Sequence, residues 1–369
     1  MDKLQGAMSH RERVLRAMRR LEPDRVPFDF SLGFAPAALE EFRRRTGQSD
    51  PNAWFDSDHR SVGIARTRLQ TDFRGYFRDL PPRATIDEWG IGHLPTESKA
   101  LGHSHLDGFL YPMLHLQSRQ DALDYPLPDF EAEYRYAHLP AQIEQLHAAG
   151  FPVSAMMHCT VFEVAWYMRS MERLLMDFSD GSAFAETLLD RITEKRTIQA
   201  RRYAELGVDI VQFGDDIGSQ RGLLMSLPMW RRWLKPRLAR VIAEARAARP
   251  DVLIFYHSDG DVRDAIPDLI EIGVEILNPV QPECMNPAEL KRHYGGHLAF
   301  WGTIGTQTTM PFGTPADVRR EVRARIESVG RGGGLLLAPT HMVEPDVPFG
   351  NIVALVEAAK EYGATNLAH

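Results

Sequence analysis

The second half of the chain repeats one pattern of hydrophobic and polar positions. From about residue 150 onward, a short apolar run ending in polar residues is followed by an amphipathic stretch of about 12–20 residues, and then by another short run. Short apolar runs of this kind predict buried strands. We predict six strands, at 153–157, 209–213, 252–256, 275–280, 298–302 and 334–338.

The stretches between these strands carry clear helix signals. Thr314 is a predicted N-cap, with Pro315 in the first turn and the carboxylate of Asp317 three residues after the cap. Ser226 likewise caps a helix, in which Pro236 should produce a kink. These signals indicate where the intervening helices begin.

The first half of the chain is less regular. Ser9 is predicted to cap a first helix that stops at Pro23, a short strand follows at 26–30, and a second helix begins near Ala35. Between about residues 50 and 120 the pattern predicts little regular structure.

Strands that alternate with helices predict a parallel sheet, because parallel neighbours need a crossover of a dozen or more residues. The six units of the second half, with further strands from the first half, predict an α/β fold: a single (β/α)8 TIM-type barrel domain over residues 1–369 with an N-terminal helical extension. The alternative is an open doubly wound sheet. Its glycine-rich phosphate loop is missing, because the glycines at 332–334 precede a strand instead of following one.

Composition and charge narrow the class of protein further. The 369 residues are 44% hydrophobic and 25% charged, and the net charge of −7 comes from interspersed residues of both signs, so we expect no nucleic-acid partner. Two cysteines, Cys159 and Cys284, cannot form a disulfide framework and fit a reducing compartment. Since the start is polar and no apolar run has membrane-spanning length, we expect a cytoplasmic protein that is neither secreted nor inserted in a membrane.

In a (β/α)8 barrel the loops after the C-terminal ends of the strands carry the chemistry. Five predicted strands end in polar, ionisable residues that would converge on one rim of the barrel. These strand ends are His158-Cys159, Gly214-Asp215-Asp216, His257-Ser258-Asp259-Gly260, the stretch 278–284, and Thr340-His341.

The candidate metal ligands among these residues are His257, Asp259, Cys284 and His341, which are all ligand types for a divalent metal such as zinc. His257 and Asp259, two positions apart, leave a strand on the same side, which suits two ligands of one ion. The alternative interpretation is that both histidines hydrogen-bond substrate or backbone, and that Cys284 is a half-buried small hydrophobe.

Asp215 and Asp216 are candidate catalytic residues, together with His257. A general acid/base pair, a cation site, or a helix N-cap beside a solvated neighbour would all fit the two carboxylates. Because adjacent residues of an extended chain point opposite ways, we expect one of the two to face the rim. The same rule argues against a nucleophilic dyad between Cys159 and His158.

Three further residues are candidates for contacting a substrate: His158, Gln281 and Asp87. The first two follow predicted strands, whereas Asp87 lies in the irregular first half of the chain. There the segment Asp87-Glu88-Trp89 either lines a substrate pocket or forms a charged turn beside a packed indole, and we favour the second interpretation.

Seven segments of the chain, together with Pro348 and Asn351, form a set of motifs that is specific as a set and not individually. The segments are RERVL (11–15), EPDRVP (22–27), GDDIGSQ (214–220), FYHSDG (255–260), ILNPVQ (276–281), FWG (300–302) and LAPTH (337–341). This set resembles the uroporphyrinogen decarboxylase superfamily, and the resemblance covers essentially the whole chain and implies a (β/α)8 barrel. The superfamily contains true uroporphyrinogen decarboxylases and zinc-dependent methyltransferases that move methyl groups to or from corrinoids or thiols, and its enzymes are commonly dimers.

Two departures from the superfamily's motifs separate its branches. True decarboxylases carry an arginine-bearing motif soon after the first strand, but residues 30–36 here contain no arginine, so a carboxylate-rich tetrapyrrole would lack its cations. The methyltransferases use His-x-Cys and a later Cys as zinc ligands. Here His257 keeps the first position, Asp259 replaces the second and His341 aligns with the third, which leaves more positive charge on the metal. If Cys284 restores one sulfur, the ligands would be His257, Asp259 or Glu283, Cys284 and His341 around one open position.

These observations leave three hypotheses. The leading one is a metal-dependent, methyltransferase-like enzyme that moves a methyl group from a small methylated substrate to a corrinoid or folate acceptor, with zinc at the site, a corrinoid protein as partner and a homodimer as the assembly. The second is a decarboxylase or lyase acting on a smaller acid, with Asp215 or Asp216 as acid/base and His257 or His341 stabilising negative charge. The third is a non-catalytic binding protein on the same barrel, because fold does not fix function.

Overall fold

A cylinder of parallel strands forms the centre of the protein in the computed structural model, which describes residues 8–94, 108–157 and 159–365. In chain order the strands are β1 (Arg60–Val62), β2 (Thr85–Ile86), β3 (Gly92–His93), β4 (Phe109–Leu110), β5 (Val153–Met157), β6 (Ile210–Gly214), β7 (Gly218–Ser219), β8 (Gly222–Leu223), β9 (Leu253–His257), β10 (Ile276–Asn278), β11 (Ala299–Ile304) and β12 (Leu335–Pro339). Seven of them form one parallel sheet in the order β1-β5-β6-β9-β10-β11-β12. The strands β2, β3 and β4 form a small antiparallel sheet, and β7 pairs with β8.

The segment around Phe28 closes this sheet into a barrel. Phe28 forms a parallel bridge to Leu337 of β12, where the Asp29 N–H donates to the Leu337 carbonyl at 3.1 Å. On its other side the Phe28 carbonyl accepts the N–H of Asp58, just before β1, at 2.9 Å. The segment therefore occupies the eighth strand position, between the first and last strands of the sheet. The predicted (β/α)8 barrel is confirmed.

Helices surround the cylinder and form its outer layer, and the long helices α8 and α10 pack against each other. The helices are α1 (His10–Met18), α2 (Pro36–Thr46), α3 (Pro51–Phe55), α4 (Arg119–Asp124), α5 (Leu139–Ala148), α6 (Phe162–Arg169), α7 (Met171–Asp180), α8 (Ala183–Glu205), α9 (Leu227–Trp233), α10 (Lys235–Ala248), α11 (Ile266–Glu271), α12 (Pro287–Tyr294), α13 (Thr309–Phe312), α14 (Pro315–Arg325) and α15 (Phe349–Thr365). No helix within the described ranges is both long enough and apolar enough to cross a bilayer.

The barrel interior has its own hydrophobic core, separate from the larger core between strands and helices. The N-terminal helix α1 contributes Val14, Ala17 and Met18 to this inner core, and the Ala17 carbonyl accepts the N–H of Gly334, just before β12. Helix α1 therefore covers the N-terminal ends of the strands. The opposite end, where the strands terminate in polar residues, is left as the mouth of the barrel.

Local signals in the sequence are reproduced in most places. Ser9 caps α1, and Thr314 with Asp317 forms a capping box at the start of α14. Pro236 does more than kink a helix, because α9 ends before it and α10 begins with Pro236 in its first turn, where a proline needs no N–H partner. The strand β1 lies in the stretch for which little regular structure was predicted.

Candidate functional site

Three side chains converge at the mouth of the barrel: Asp216, His257 and Asp259. One possible ligand atom from each lies within 4.8 Å of the other two. The Nε2 atom of His257 is 3.6 Å from Oδ1 of Asp216 and 3.9 Å from Oδ1 of Asp259. The backbone N–H of Asp259 donates to Asp216 Oδ1 at 2.7 Å, which ties the loop after β9 to the loop after β6.

The parallel register of the barrel brings these residues together. His257 is the last residue of β9 and is in register with Gly214 of β6 and Asn278 of β10. The chain then turns sharply at Gly260, whose φ is +81°, and a Cβ there would lie 2.6 Å from the Ser219 carbonyl oxygen. Asp216 lies two residues after Gly214, and Asp259 lies two residues after His257. Since Gly214 and His257 are in register, the two aspartates meet above the mouth.

Neighbouring groups define the state of His257. Its Nδ1 is hydrogen-bonded to Oδ1 of Asn278, so that Nε2 faces the two carboxylates. Burial acts to lower the pKa of His257, but the carboxylates of Asp259 and Asp216 and the bond to Asn278 outweigh it and raise the pKa above its ordinary value.

Asp259 has a raised pKa and a carboxylate oxygen without a hydrogen bond from the described residues. Burial raises the pKa of Asp259 to about 7, and the nearby Asp216 and Glu283 carboxylates add to this rise against the opposing effect of His257. Its Oδ1 is buried and has no hydrogen-bond donor within the described part of the chain. A buried carboxylate oxygen without a donor is costly, and a bound cation would satisfy it. One imidazole nitrogen and two carboxylates are a donor set that fits zinc or a harder divalent ion.

Asp215 and Asp216 turn to different partners, as adjacent residues do on an extended strand. The carboxylate of Asp215 is buried and accepts the backbone N–H groups of Val161 at 3.1 Å and Glu163 at 3.0 Å, at the start of α6. Burial nevertheless raises the pKa of Asp215 to about 6. Asp216 is the one that faces His257.

Two further residues of the predicted ligand set, His341 and Cys284, lie near this group but outside it. The ring centre of His341 is 6.4 Å from that of His257. The Sγ of Cys284 is 3.2 Å from Oε1 of Gln220 and 3.7 Å from Oε1 of Gln281, and burial raises the pKa of its thiol to about 11. Within the described residues, the group with metal-ligand geometry is therefore Asp216, His257 and Asp259.

The residues predicted to contact substrate lie in different places. Gln281 accepts the N–H of Gly260 through Oε1 at 2.6 Å and so holds the turn after β9. Asp87 accepts the N–H groups of Trp89 and Ile91 and borders a cavity of about 960 Å³ beside the small antiparallel sheet. His158 lies outside the described residues.

Sequence reasoning did not assign a role to Glu163 or to Asn278. Burial raises the pKa of the Glu163 carboxyl well above its usual range, and the carboxylates of Asp216 and Asp215 add to the rise. The hydroxyl of Tyr167 donates to Glu163 at 3.2 Å. Asn278 was visible among the polar strand ends, whereas Glu163 lies on a helix and no strand-end signal could have found it.

A closed parallel barrel with ionisable groups at the C-terminal ends of its strands is the architecture of the (β/α)8-barrel enzymes. Within that class the chain belongs to the uroporphyrinogen decarboxylase (URO-D) family, whose sequence model matches residues 115–362. The resemblance seen in the sequence motifs is therefore confirmed.

Comparisons with individual proteins show relatives of two kinds. A methylcobamide:CoM methyltransferase MtaA of Methanosarcina barkeri is 30% identical over 179 residues, which are 48% of this chain and 49% of that protein. A uroporphyrinogen decarboxylase of Legionella pneumophila is 23% identical over 195 residues, 52% of each protein. The chain thus spans about half the length of the curated relatives it matches. A solved methyltransferase from Methanosarcina mazei shares the fold, with a TM-score of 0.67 at 18% identity over 96% of this chain and 99% of that one.

Proposed function

We propose that this protein is a metal-dependent, methyltransferase-like enzyme that moves a methyl group from a small methylated substrate to a corrinoid or folate acceptor. The observation that carries the proposal is the Asp216, His257 and Asp259 group at the barrel mouth, in which the buried Oδ1 of Asp259 receives no hydrogen bond from any residue in 8–94, 108–157 or 159–365. The 30% identity to a methylcobamide:CoM methyltransferase supports methyl transfer and favours the corrinoid as the partner.

In this proposal His257, Asp259 and Asp216 hold the ion, which is zinc or another divalent metal. When bound, it supplies Lewis acidity toward the methyl-bearing heteroatom of the substrate. Asp216 also keeps Asp259 in place, because its Oδ1 accepts the Asp259 N–H. His341 faces the group from across the mouth and, with Cys284 and Gln281 farther along the rim, is proposed to contact the substrate.

The chemistry of the donor set bears on the direction of transfer. A thiolate-rich zinc site suits a soft thiolate acceptor, whereas one nitrogen and two carboxylate oxygens leave the metal a harder Lewis acid. We therefore propose that this site polarises a methyl-bearing oxygen or nitrogen, and that the corrinoid receives the methyl group.

Metal titration tests the proposal at its foundation. The purified chain, stripped with chelator, is titrated with Zn²⁺ in competition with a chromophoric chelator, and we expect one tight site per chain. Loss of an outer-shell partner typically weakens metal binding by roughly 10–100-fold. Asp259→Asn removes a proposed direct ligand, so we expect it to weaken Zn²⁺ binding by at least as much. The matched control is Asp261→Asn, in the same loop but paired with Arg263, which should leave the affinity unchanged. A wild-type chain that binds neither Zn²⁺ nor Mn²⁺ or Co²⁺ in the same competition assay would overturn the proposal.

The activity is tested with the metal-loaded protein. Cob(I)alamin and a panel of small methylated amines, ethers and thioethers are mixed with the enzyme, and the spectral change to methylcobalamin is followed. We expect turnover with at least one methylated oxygen or nitrogen compound and none with His257→Gln. A chain that binds Zn²⁺ and methylates neither cobalamin nor a folate would count against methyl transfer.

A second candidate, a decarboxylase or lyase acting on a small acid, is favoured by one observation. Burial and the neighbouring carboxylates of Asp216 and Asp215 raise the pKa of Glu163 well above its usual range, and the hydroxyl of Tyr167 donates to it at 3.2 Å, an arrangement that suits a general acid. Release of carbon dioxide from a candidate acid, without any need for cobalamin or metal, would support this function in place of methyl transfer.

A further inference from the structure

A buried hydrogen-bond chain lies directly beneath the candidate metal group. The Nδ2 of Asn278 donates to the carbonyl oxygen of Trp301 at 2.8 Å. A carbonyl oxygen can only accept, so this contact identifies which end of the Asn278 amide points toward Trp301. The opposite end, Oδ1, then faces Nδ1 of His257.

This orientation determines the tautomer of the imidazole. Because Oδ1 of an amide is an acceptor only, Nδ1 of His257 must carry the hydrogen of the bond between them. In the neutral ring Nε2 then carries the lone pair, and Nε2 is the atom that faces Asp216 and Asp259. The ring is thus presented as a ligand even before any ion arrives.

Asp29 holds this arrangement from below. Its Oδ1 accepts the indole N–H of Trp301 at 3.0 Å and the backbone N–H of Ser31 at 2.7 Å, and the Oγ of Ser31 is 3.5 Å from Nδ2 of Asn278. Its Oδ2 lies 3.1 Å from Nδ1 of His59. One carboxylate therefore anchors Trp301 and Ser31, the two residues that contact the Nδ2 end of the Asn278 amide.

The order Asp29, His59, Ser154 looks like that of a nucleophilic triad, since Nε2 of His59 is 2.8 Å from Oγ of Ser154. Ser154 is fully buried inside the barrel, and Asp29 and His59 are buried with it, so no substrate can reach the hydroxyl. The three residues instead satisfy one another's hydrogen bonds and fix the carboxylate under Trp301.

We propose that Asn278 is a positioning residue that fixes His257 in the Nδ1–H tautomer, and that Asp29 holds Asn278 in place through Trp301 and Ser31. This inference rests on the proposed function insofar as it assigns His257 Nε2 to a metal. Outer-shell partners of ligating histidines are worth roughly 10–100-fold in metal affinity, which is the effect expected here.

Two substitutions at Asn278 separate positioning from packing. Asn278→Leu removes the acceptor for His257 and the donor to Trp301, whereas Asn278→Asp keeps an acceptor for Nδ1–H and, if protonated, the donor as well. We expect Zn²⁺ affinity to fall roughly 10–100-fold in Asn278→Leu and to stay within a few-fold of wild type in Asn278→Asp. Equal losses in both variants would assign Asn278 a packing role and overturn the proposal.

A second measurement does not depend on metal at all. Long-range ¹H–¹⁵N correlations of the metal-free, ¹⁵N-histidine-labelled protein report which ring nitrogen of His257 carries hydrogen. The spectra are recorded at an alkaline pH at which the ring is neutral, because the imidazolium carries hydrogen on both nitrogens. We expect Nδ1–H in the wild type and in Asn278→Asp, and a mixture of tautomers in Asn278→Leu. A neutral wild-type ring with hydrogen on Nε2 would overturn the inference even if zinc binds, whereas a neutral ring with Nδ1–H in a chain that binds no divalent ion would overturn only the proposed function.

The matched control is Asn351→Leu. Asn351 is equally buried, and its Nδ2 donates to the carbonyls of Met310 and Gly313, away from the mouth. This substitution carries the general cost of losing a buried amide, so we expect lower stability with unchanged Zn²⁺ affinity and an unchanged His257 tautomer. Loss of affinity in this variant matching that in Asn278→Leu would also overturn the proposal.

Discussion

Asp215 shows how a candidate catalytic carboxylate can serve a helix instead of a substrate. It accepts two backbone N–H groups at the start of α6, in the manner of a capping side chain. We predict that Asp215→Ala lowers the free energy of unfolding by about 1–2 kcal/mol, and that Asp215→Asn, which keeps an acceptor oxygen, costs clearly less. Urea denaturation followed by circular dichroism measures both values. Equal losses in the two variants would contradict a capping role.

At the scale of single residues, the sequence was informative where a side chain directly follows a strand. Asp216, His257 and Asp259 could be singled out because parallel strands deliver their C-terminal ends to one rim. Which of them meet could not be derived, since Cys284 follows a strand as well and turns toward Gln220. The pKa of Glu163 is raised because α6 buries its carboxyl beside the carboxylates of Asp216 and Asp215, in the loop after β6. No local sequence pattern predicts this packing.

At the scale of elements, Asp58 joins the closing segment around Phe28 to strand β1. Its buried carboxylate accepts hydrogen bonds from Arg25 at 2.7 Å, from Arg13 at 2.9 Å and from the Phe28 N–H at 2.9 Å. We predict that Asp58→Asn lowers the free energy of unfolding by about 3 kcal/mol, because the neutral amide removes the charge partner of the half-buried Arg25 and one of the two carboxylate partners of the buried Arg13, which keeps Asp24. Urea denaturation at pH 7 measures this loss. A loss below about 1 kcal/mol, the worth of an exposed ion pair, would show that the closure does not depend on Asp58.

The same carboxylate predicts a pH dependence. Burial acts to raise the pKa of Asp58, but the bonds from His10 and Arg25 hold it at about 2, below the value of about 3.9 expected in the unfolded chain. A group whose folded pKa is depressed stabilises the fold above its unfolded pKa and loses that contribution as the pH falls through the folded one. The stability gap between wild type and Asp58→Asn should therefore be complete above about pH 4 and shrink toward pH 2. A gap independent of pH over this range would contradict the assignment.

The elements that the sequence did not reveal are those stabilised by distant partners. Strand β1 has three residues and gains its regularity by pairing with β5, about ninety positions later. The segment around Phe28 was predicted as a strand, but it closes the barrel only by pairing with Leu337, at the other end of the chain. By contrast, the capped helices α1 and α14 depend on residues within one turn and could be predicted directly.

At the scale of the whole molecule, the two ends of the barrel each hold a buried aspartate, and the two carboxylates differ in their hydrogen bonding. At the N-terminal end, Asp209 accepts hydrogen bonds from Arg11 at 2.7 Å, from His147 at 2.8 Å and from the Val153 N–H at 3.0 Å. At the mouth, Oδ1 of Asp259 is buried and receives no hydrogen bond from the residues that the structure describes. The carboxylate of Asp209 is thus satisfied within the protein, whereas that of Asp259 keeps an oxygen that a bound cation would satisfy.

This contrast predicts opposite effects for two chemically identical substitutions. Asp209→Asn should lower the free energy of unfolding by about 1–3 kcal/mol and leave Zn²⁺ affinity unchanged, because it breaks bonds remote from the mouth. Asp259→Asn should lose Zn²⁺ affinity yet raise the stability of the metal-free protein by roughly 1–3 kcal/mol at pH 8, since a neutral amide replaces a buried charge whose Oδ1 accepts no hydrogen bond from the described residues. Urea denaturation in EDTA and chelator competition measure the two properties separately. If Asp259→Asn destabilised the metal-free chain as Asp209→Asn does, the mouth carboxylate would be a structural group, because a site built for a cation gives up stability until the cation is bound.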